Sequence, residues 1–406
     1  MLDFLGSLIG TLAAFIAVLA LVIVIHELGH FSVAKLFGVK IDRFSIGFGK
    51  TLWARTDRSG VEWRLAALPL GGYVKFSGDL DVTGVPDREG IEALRQQIIA
   101  EQGPGAERAY YHFKPIWQRA LVVAAGPIAN FILAVAIFTV LALAVGETVR
   151  VTPRVGDVDA ASPAQAAGFQ TGDLITEADG RRMRDWQEVV QHVRLRPETP
   201  IRFEVERDGQ TVELTATPDA RQMRNPLDDS MVRIGVLGMA SSGLRSDLIV
   251  HRYSLPEAVV EGGRQTWAVL DTSVTYIGRI VTGRESGDQL SGPIGIARAS
   301  GAVAGAAVES SDSAGEAAGR VIFSLFALAG LLSVGVGFFN LLPVPVLDGG
   351  HLVFYAYEAV ARRPLDARIQ EAGFRVGLAL LVGLMLFATW NDLNKLNLFA
   401  FLGGTS

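Results

Sequence analysis

Residues 26–30 read His-Glu-Leu-Gly-His and close an uncharged run that extends from Phe4 to Ile25. On a helix, His26 and His30 stand one turn apart on the same face, so both imidazoles can reach a single zinc ion. Glu27, beside them, can act as general base on a water that the metal activates. Ionisable groups at membrane depth are costly, and their default reading is functional. The bland alternative is a pair of satisfied histidines just beyond a membrane anchor. Two histidines do not complete a catalytic zinc site, which needs a third protein ligand and an open position. The chain has no cysteine, so that ligand must be His, Asp or Glu. One candidate lies far downstream, in Asn340-Leu-Leu-Pro343-Val-Pro345-Val-Leu347-Asp348-Gly349-Gly350-His351. Pro343 and Pro345 cannot continue a regular helix. Broken backbone at this depth is tolerated only inside protein or against a water-filled cavity. Asp348 would then be a carboxylate at the cavity wall; His351 is a rival ligand but reads better as a cytoplasmic-face residue. Taken alone, Asp348 reads better as a helix-end aspartate at the interface.

The elements that must position these groups are apolar. Half of the 406 residues are hydrophobic and only 19% are charged, which suits several membrane spans joined to soluble parts. A net charge of −5 gives no support to nucleic-acid binding. Uncharged runs occur at Phe4–Ile25, Ala120–Gly146, Val321–Leu347 and Val376–Asn391. The first three are long enough to cross about 30 Å of hydrocarbon and the fourth is marginal. The first is a poor cleavable signal, since Asp3 stands where a basic residue is expected. Five of the six lysines (Lys35, Lys40, Lys50, Lys75 and Lys114) lie between the first two runs, and Arg362, Arg363, Arg368 and Arg375 between the last two. Both loops are therefore expected in the cytoplasm, with residues 147–320 outside and the histidine motif toward the cytoplasmic side.

Between the second and third runs the pattern turns soluble. Ser162-Pro163-Ala164-Gln165-Ala166-Ala167-Gly168 predicts a short helix with proline in its first turn and a glycine stop. Leu174-Ile175 is a strand candidate. Trp186, Val189, Val190 and Val193 predict an amphipathic helix, and Ile201–Glu206 with Thr211–Ala216 a hairpin. This order resembles a bacterial, circularly permuted PDZ domain, a fold that captures peptides by strand addition; a generic small α/β domain is the alternative. Ser254 and Glu257 have capping-box spacing. The helix they open lies on the membrane or packs on the soluble domain. Within Gly78–Tyr111, a cytoplasmic insertion, 91–102 reads as helical.

With these parts in place, the whole chain resembles the site-2 protease family of intramembrane zinc metalloproteases, in its regulator-of-sigma-E protease branch. The resemblance rests on His26-Glu27-x-x-His30, Asn340-x-x-Pro343 and Leu347-Asp348-Gly349. It continues through Gly47-Phe48-Gly49-Lys50, the Pro69–Lys75 block, Ala125-Gly126-Pro127-Ile128-Ala129-Asn130-Phe131 and Leu290–Ala297. It implies His26, His30 and Asp348 as zinc ligands, Glu27 as base and Asn340 as a contact to unwound substrate backbone. It also implies a membrane-reentrant β element around Gly47, Phe48 and Gly49 that binds an extended substrate. The implied substrates are single-span membrane proteins, chiefly an anti-sigma factor already trimmed outside by a site-1-type protease, and also remnant signal peptides. The implied location is a bacterial inner membrane, with the PDZ-like domain periplasmic. Best-known members carry two tandem PDZ domains, whereas this chain has the signature of one.

The expected fold is thus a polytopic α-helical membrane protein of about four spans, with an inserted extracytoplasmic PDZ-like α/β domain and a membrane-associated β element. Its expected parts are span one with the histidine motif (1–32), a cytoplasmic or reentrant loop (33–118), span two (119–146) and the PDZ-like domain (147–220). There follow an extracytoplasmic segment with an amphipathic helix (221–319), span three with Leu347-Asp348-Gly349 (320–350), a cytoplasmic loop (351–372), span four (373–391) and a tail (392–406). Three other functions remain open at this stage: general clearance of membrane peptides, a silent PDZ-bearing scaffold, and a transporter with a broken helix.

Overall fold

The structure is a computed structural model and describes residues 2–78, 88–145, 147–224, 231–283, 292–309 and 313–395. In chain order it begins with α1 (Leu2–Leu36), β1 (Ile41–Thr56), β2 (Glu62–Phe76), α2 (Arg88–Gln102) and α3 (Ile116–Val145). Next come β3 (Glu147–Val151), β4 (Val155–Val158), α4 (Pro163–Ala166), β5 (Leu174–Ala178), β6 (Arg181–Arg182) and α5 (Trp186–Arg194). Six further strands follow: β7 (Ile201–Arg207), β8 (Gln210–Ala216), β9 (Asp219–Arg224), β10 (Met231–Val236), β11 (Met239–Ser241) and β12 (Leu248–Arg252). The chain continues through α6 (Leu255–Val281), α7 (Pro293–Glu309), α8 (Ala314–Asn340), α9 (Asp348–Ala361) and α10 (Ala367–Lys395). Of the sequence expectations, residues 79–87 of the insertion, Gly146, Leu290-Ser291 and the tail beyond Lys395 lie outside the described residues.

Among the described residues, four helical stretches are long and apolar enough to cross a membrane: Ala13–Leu36, Ile116–Ala144, Gly315–Asn340 and Ala367–Asn394. A helix satisfies its backbone polar groups internally, which is what permits such sequences to sit in hydrocarbon.

The chain divides into two compact units. The first comprises Met1–Phe138, Gly262–Leu270 and Leu290–Asn394. Within it α1 packs against α7, α8 and the β1–β2 hairpin. The hairpin seats Phe44 and Trp63 on Phe31 of α1 in a buried aromatic group. Helix α7, which falls in the 221–319 segment expected outside the membrane, packs against α1 and α8. Its residues are mostly Gly, Ala, Ile and Val, which make a helix slim enough to wedge among neighbours but too short to register as a span. Asp392 of α10 accepts a hydrogen bond from the Gly295 amide at 2.8 Å, satisfying an orphan donor in the first turn of α7. Span three is expected in 320–350, with the helix broken at Pro343 and Pro345. Helix α8 stops at Asn340, and Asp348 opens a new helix after a short irregular link. The break spans Pro343 and Pro345, each of which lacks the N–H a helix requires.

The second unit comprises Thr139–Glu261, Asp271–Gln289 and the C-terminal residues from Lys395. Its centre is a four-stranded antiparallel sheet in the order β6-β5-β7-β8. Phe169, Ile175, Val189, Ile201, Phe203 and Val205 form its core. Ser162 caps α4 and Asp185 caps α5 through their side-chain oxygens, as the short helices require. Asp173, 1% exposed, takes two hydrogen bonds of 2.7 Å from Arg207. The sheet-rich region runs past the boundary expected at residue 220, because β11 returns to pair with β4 and β12 with β3. Such pairing joins strands distant in sequence and leaves no local pattern. Helix α6 opens with the capping box of Ser254 and Glu257, and its Asp271 pairs with Arg181 at 2.8 Å.

Candidate metal centre

Helices α1 and α3 approach closely where two glycines face across the contact. A Cβ on Gly29 would lie 2.3 Å from the Ala125 carbonyl oxygen, and one on Gly126 would lie 2.2 Å from His30 Nε2 and 2.9 Å from His26 Cε1. Without side chains there, α3 can hold both imidazoles from one side. Val122, Gly126 and Asn130 recur at four-residue intervals and so share one face of α3. The Val122 carbonyl lies 2.8 Å from His30 Nδ1, and the Asn130 amide 3.2 Å from His26 Nδ1. Both rings therefore present Nε2 to the same point.

Asp348 reaches that point because α8 is broken. Leu347 is extended (φ −100°, ψ 164°) and starts α9, so Asp348 occupies the first turn of the new helix. The glycines after it let α9 nestle against the broken link: a Cβ on Gly349 would lie 2.3 Å from the carbonyl oxygens of Leu341 and Leu342, and one on Gly350 2.3 Å from that of Val344. Asp348 Oδ2 stands 3.2 Å from His26 Nε2 and 3.5 Å from His30 Nε2, and the two nitrogens are 3.2 Å apart. A tetrahedral zinc with bonds of about 2.0–2.2 Å sets its ligand atoms about 3.3–3.6 Å apart. The triangle has that size. Asp348 Oδ2 is buried and makes no hydrogen bond, a costly state unless a cation shares the space. Two imidazoles and a carboxylate also form a donor set suited to zinc. Among the described residues this is the one cluster of such groups close enough to share an ion, and its members fit the metal.

Glu27, on α1 beside the triad, accepts a hydrogen bond from the Val74 backbone amide of β2. A cavity of about 1780 Å³ opens at the triad. Its wall includes Glu27, Asn340, Gly72, Tyr73, Val74 and His351. Asn340 turns its amide nitrogen back to the Val336 carbonyl at 3.0 Å. His351 packs edge-on against Phe354 and Phe374 and is not in the triad. Gly47, Phe48 and Gly49 lie on β1, the other strand of the hairpin, with positive φ at both glycines (86° and 85°). They are absent from the cavity wall; Phe48 reaches it only by stacking on Tyr73 at 6.1 Å.

Helix α9 is held in place at its far end. Arg119 donates to Glu358 at 2.8 Å and lies over the Tyr355 ring, whose hydroxyl meets that of Tyr111 at 2.9 Å. Sequence reasoning assigned no role to Val122, Gly126, Asn130, Arg119 or Glu358. The block from Ala125 to Phe131 did stand out, and the four-residue spacing of Val122, Gly126 and Asn130 was the readable signal.

The family model of peptidase family M50 matches residues 14–384. The chain is 48% identical over 394 residues to metalloprotease MmpA of Caulobacter vibrioides, covering 97% of this chain and 98% of that protein. It is 30% identical to the regulator of sigma-E protease RseP of Salmonella typhimurium over 483 aligned positions, covering 96% of this chain and all of the relative. That alignment is longer than this chain, so the relative carries additional residues.

Proposed function

The chain belongs to peptidase family M50 and is a zinc metalloprotease; from that premise we propose that it hydrolyses peptide bonds within single-span membrane proteins. The observation that carries this reading is the triangle of His26, His30 and Asp348, 3.2–3.5 Å on a side, set among helices apolar enough to span a membrane.

His26, His30 and Asp348 would hold the metal. When bound, zinc lowers the pKa of water and polarises a carbonyl. Glu27 takes a proton from the attacking water and delivers it to the leaving amine. The Val74 amide keeps the Glu27 carboxylate turned toward the cavity. A helical substrate protects its own amides, so it must present an extended segment before attack. Asn340 and the hairpin would receive that segment, with Gly72–Val74 nearer to the triad than Gly47–Gly49. An added strand gains backbone hydrogen bonds along its whole length.

The similarity to a regulator of sigma-E protease supports an anti-sigma-factor-like substrate, cut first outside the membrane by a site-1-type protease. Remnant signal peptides share the same chemistry. The lysine asymmetry supports an inner-membrane protein with its centre toward the cytoplasm. The sheet-rich domain, read as PDZ-like and periplasmic, would exclude or position ectodomains not yet trimmed.

Reconstitution in liposomes with a tagged single-span substrate tests the mechanism. Glu27→Gln should cut turnover at least about 10²-fold with zinc content unchanged; equal cleavage by the two proteins would refute it. Profiling of accumulated membrane peptides in cells separates a dedicated signalling substrate from general clearance.

A further inference from the structure

We infer that Asn130 is the positioning residue of His26: its side-chain oxygen accepts the Nδ1 proton and thereby commits Nε2 to the metal. The inference rests on the reading of His26 as a zinc ligand. A neutral imidazole carries one proton. When Nε2 coordinates, that proton must sit on Nδ1, and in a buried place it needs an acceptor. His26 is 8% exposed and Asn130 is fully buried. Among the described residues the Asn130 side chain is the hydrogen-bond partner of Nδ1.

The amide nitrogen stands 3.2 Å from Nδ1, while Oδ1 is buried without a partner. Two donors facing each other repel. A half-turn of the amide exchanges its nitrogen and oxygen in the same space, placing the oxygen at hydrogen-bond distance from Nδ1. His30 obtains the same service from the Val122 carbonyl, eight residues before Asn130 on α3. The two outer partners therefore come from one helix face and act on the same tautomer. Asn130 is itself fastened: Ser333 Oγ of α8, fully buried, donates to the Asn130 backbone oxygen at 2.8 Å. Of the two outer partners, Asn130 is the one a side-chain substitution can address.

The test uses the full chain in detergent micelles, with zinc affinity read by competition against a chromophoric chelator and the d–d spectrum read after cobalt(II) loading. Asn130→Leu, of similar size without an acceptor, should weaken zinc binding about 10–100-fold, whereas Asn130→Asp, which keeps an acceptor, should stay within about threefold of the native chain. The cobalt spectrum of Asn130→Asp should remain native-like. Native affinity in Asn130→Leu would overturn the inference. So would equal weakening in Asn130→Asp, because the position would then only fill space; that arm also decides the matter if the leucine variant does not fold. A His26→Ala arm keeps the two readings apart. If it binds zinc like the native chain, the ligand assignment itself fails; if it loses zinc while Asn130→Leu does not, only the role of Asn130 fails.

Discussion

Arg119 donates to Glu358 across 2.8 Å, and so ties the helix that begins at Asp348 to the helix that carries Val122, Gly126 and Asn130. The carboxylate of the triad and the groups behind the histidines thus belong to one clasped pair. Both members of the ion pair are about four-fifths shielded from solvent. Arg119→Met should destabilise the protein by about 1–3 kcal/mol, the cost of leaving a partly buried charge alone. Thermal unfolding in detergent reads this cost. Glu358→Gln in the Arg119→Met background should recover part of it, since the unpaired carboxylate is then gone.

Metal content tests the triad directly. His26→Ala and Asp348→Asn should each reduce bound zinc from about one ion per chain to well below half, because a three-ligand site that loses a ligand cannot hold the metal. Elemental analysis after gel filtration measures it. Full occupancy in either variant would remove that residue from the site.

Gly126→Ala puts a methyl group where His30 Nε2 and His26 Cε1 now lie, 2.2 and 2.9 Å from the new carbon. Overpacking of this kind costs about 1–3 kcal/mol. The larger effect should be on the metal, with zinc affinity lowered at least about tenfold as the rings are pushed apart. Chelator competition measures the affinity. Unchanged binding would mean the helices separate without disturbing the imidazoles.

The sheet-rich unit should lose stability in acid through His192. Burial, with Arg196 close by, pulls the imidazole below its usual value of 6.5 despite Asp179, whose carboxylate is 2.9 Å from Nε2. A group with a depressed folded-state value binds its proton more readily when unfolded, so stability falls as pH drops below 6.5. His192→Gln should flatten that dependence. Melting of the full chain across pH 5–8, followed by hydrogen exchange in β5 and β7, checks it. An unchanged slope would place the acid sensitivity elsewhere.

The local features were legible because each is written within a few residues. The capping box at Ser254 and Glu257, the proline-started helix at Ser162, the hairpin of β7 and β8 and the four apolar stretches all follow from short-range chemistry. The histidine pair was equally plain, since a single helical turn sets its spacing. Asp348 was found because two prolines and two glycines mark a break, but the residues alone left it open as an interfacial helix end. Tertiary structure places its oxygen 3.2 Å from His26.

Other relationships had no local trace. His30 and Val122 are 92 positions apart, and His26 and Asn130 are 104 apart. No periodicity spans such distances. The family resemblance implied a β element around Gly47–Gly49 beside the site; those residues lie on β1, and Gly72–Val74 of its partner β2 line the cavity wall. Nor does any local pattern announce the packing of α7 against α1 and α8. By itself, then, the sequence determined the metal-binding residue types, the apolar elements and the places where backbone must turn or break, because each is set by neighbours along the chain. Which groups meet, which strand faces the cavity and what holds each imidazole were decided only by helices and strands packing across long separations, where contact geometry replaces sequence spacing.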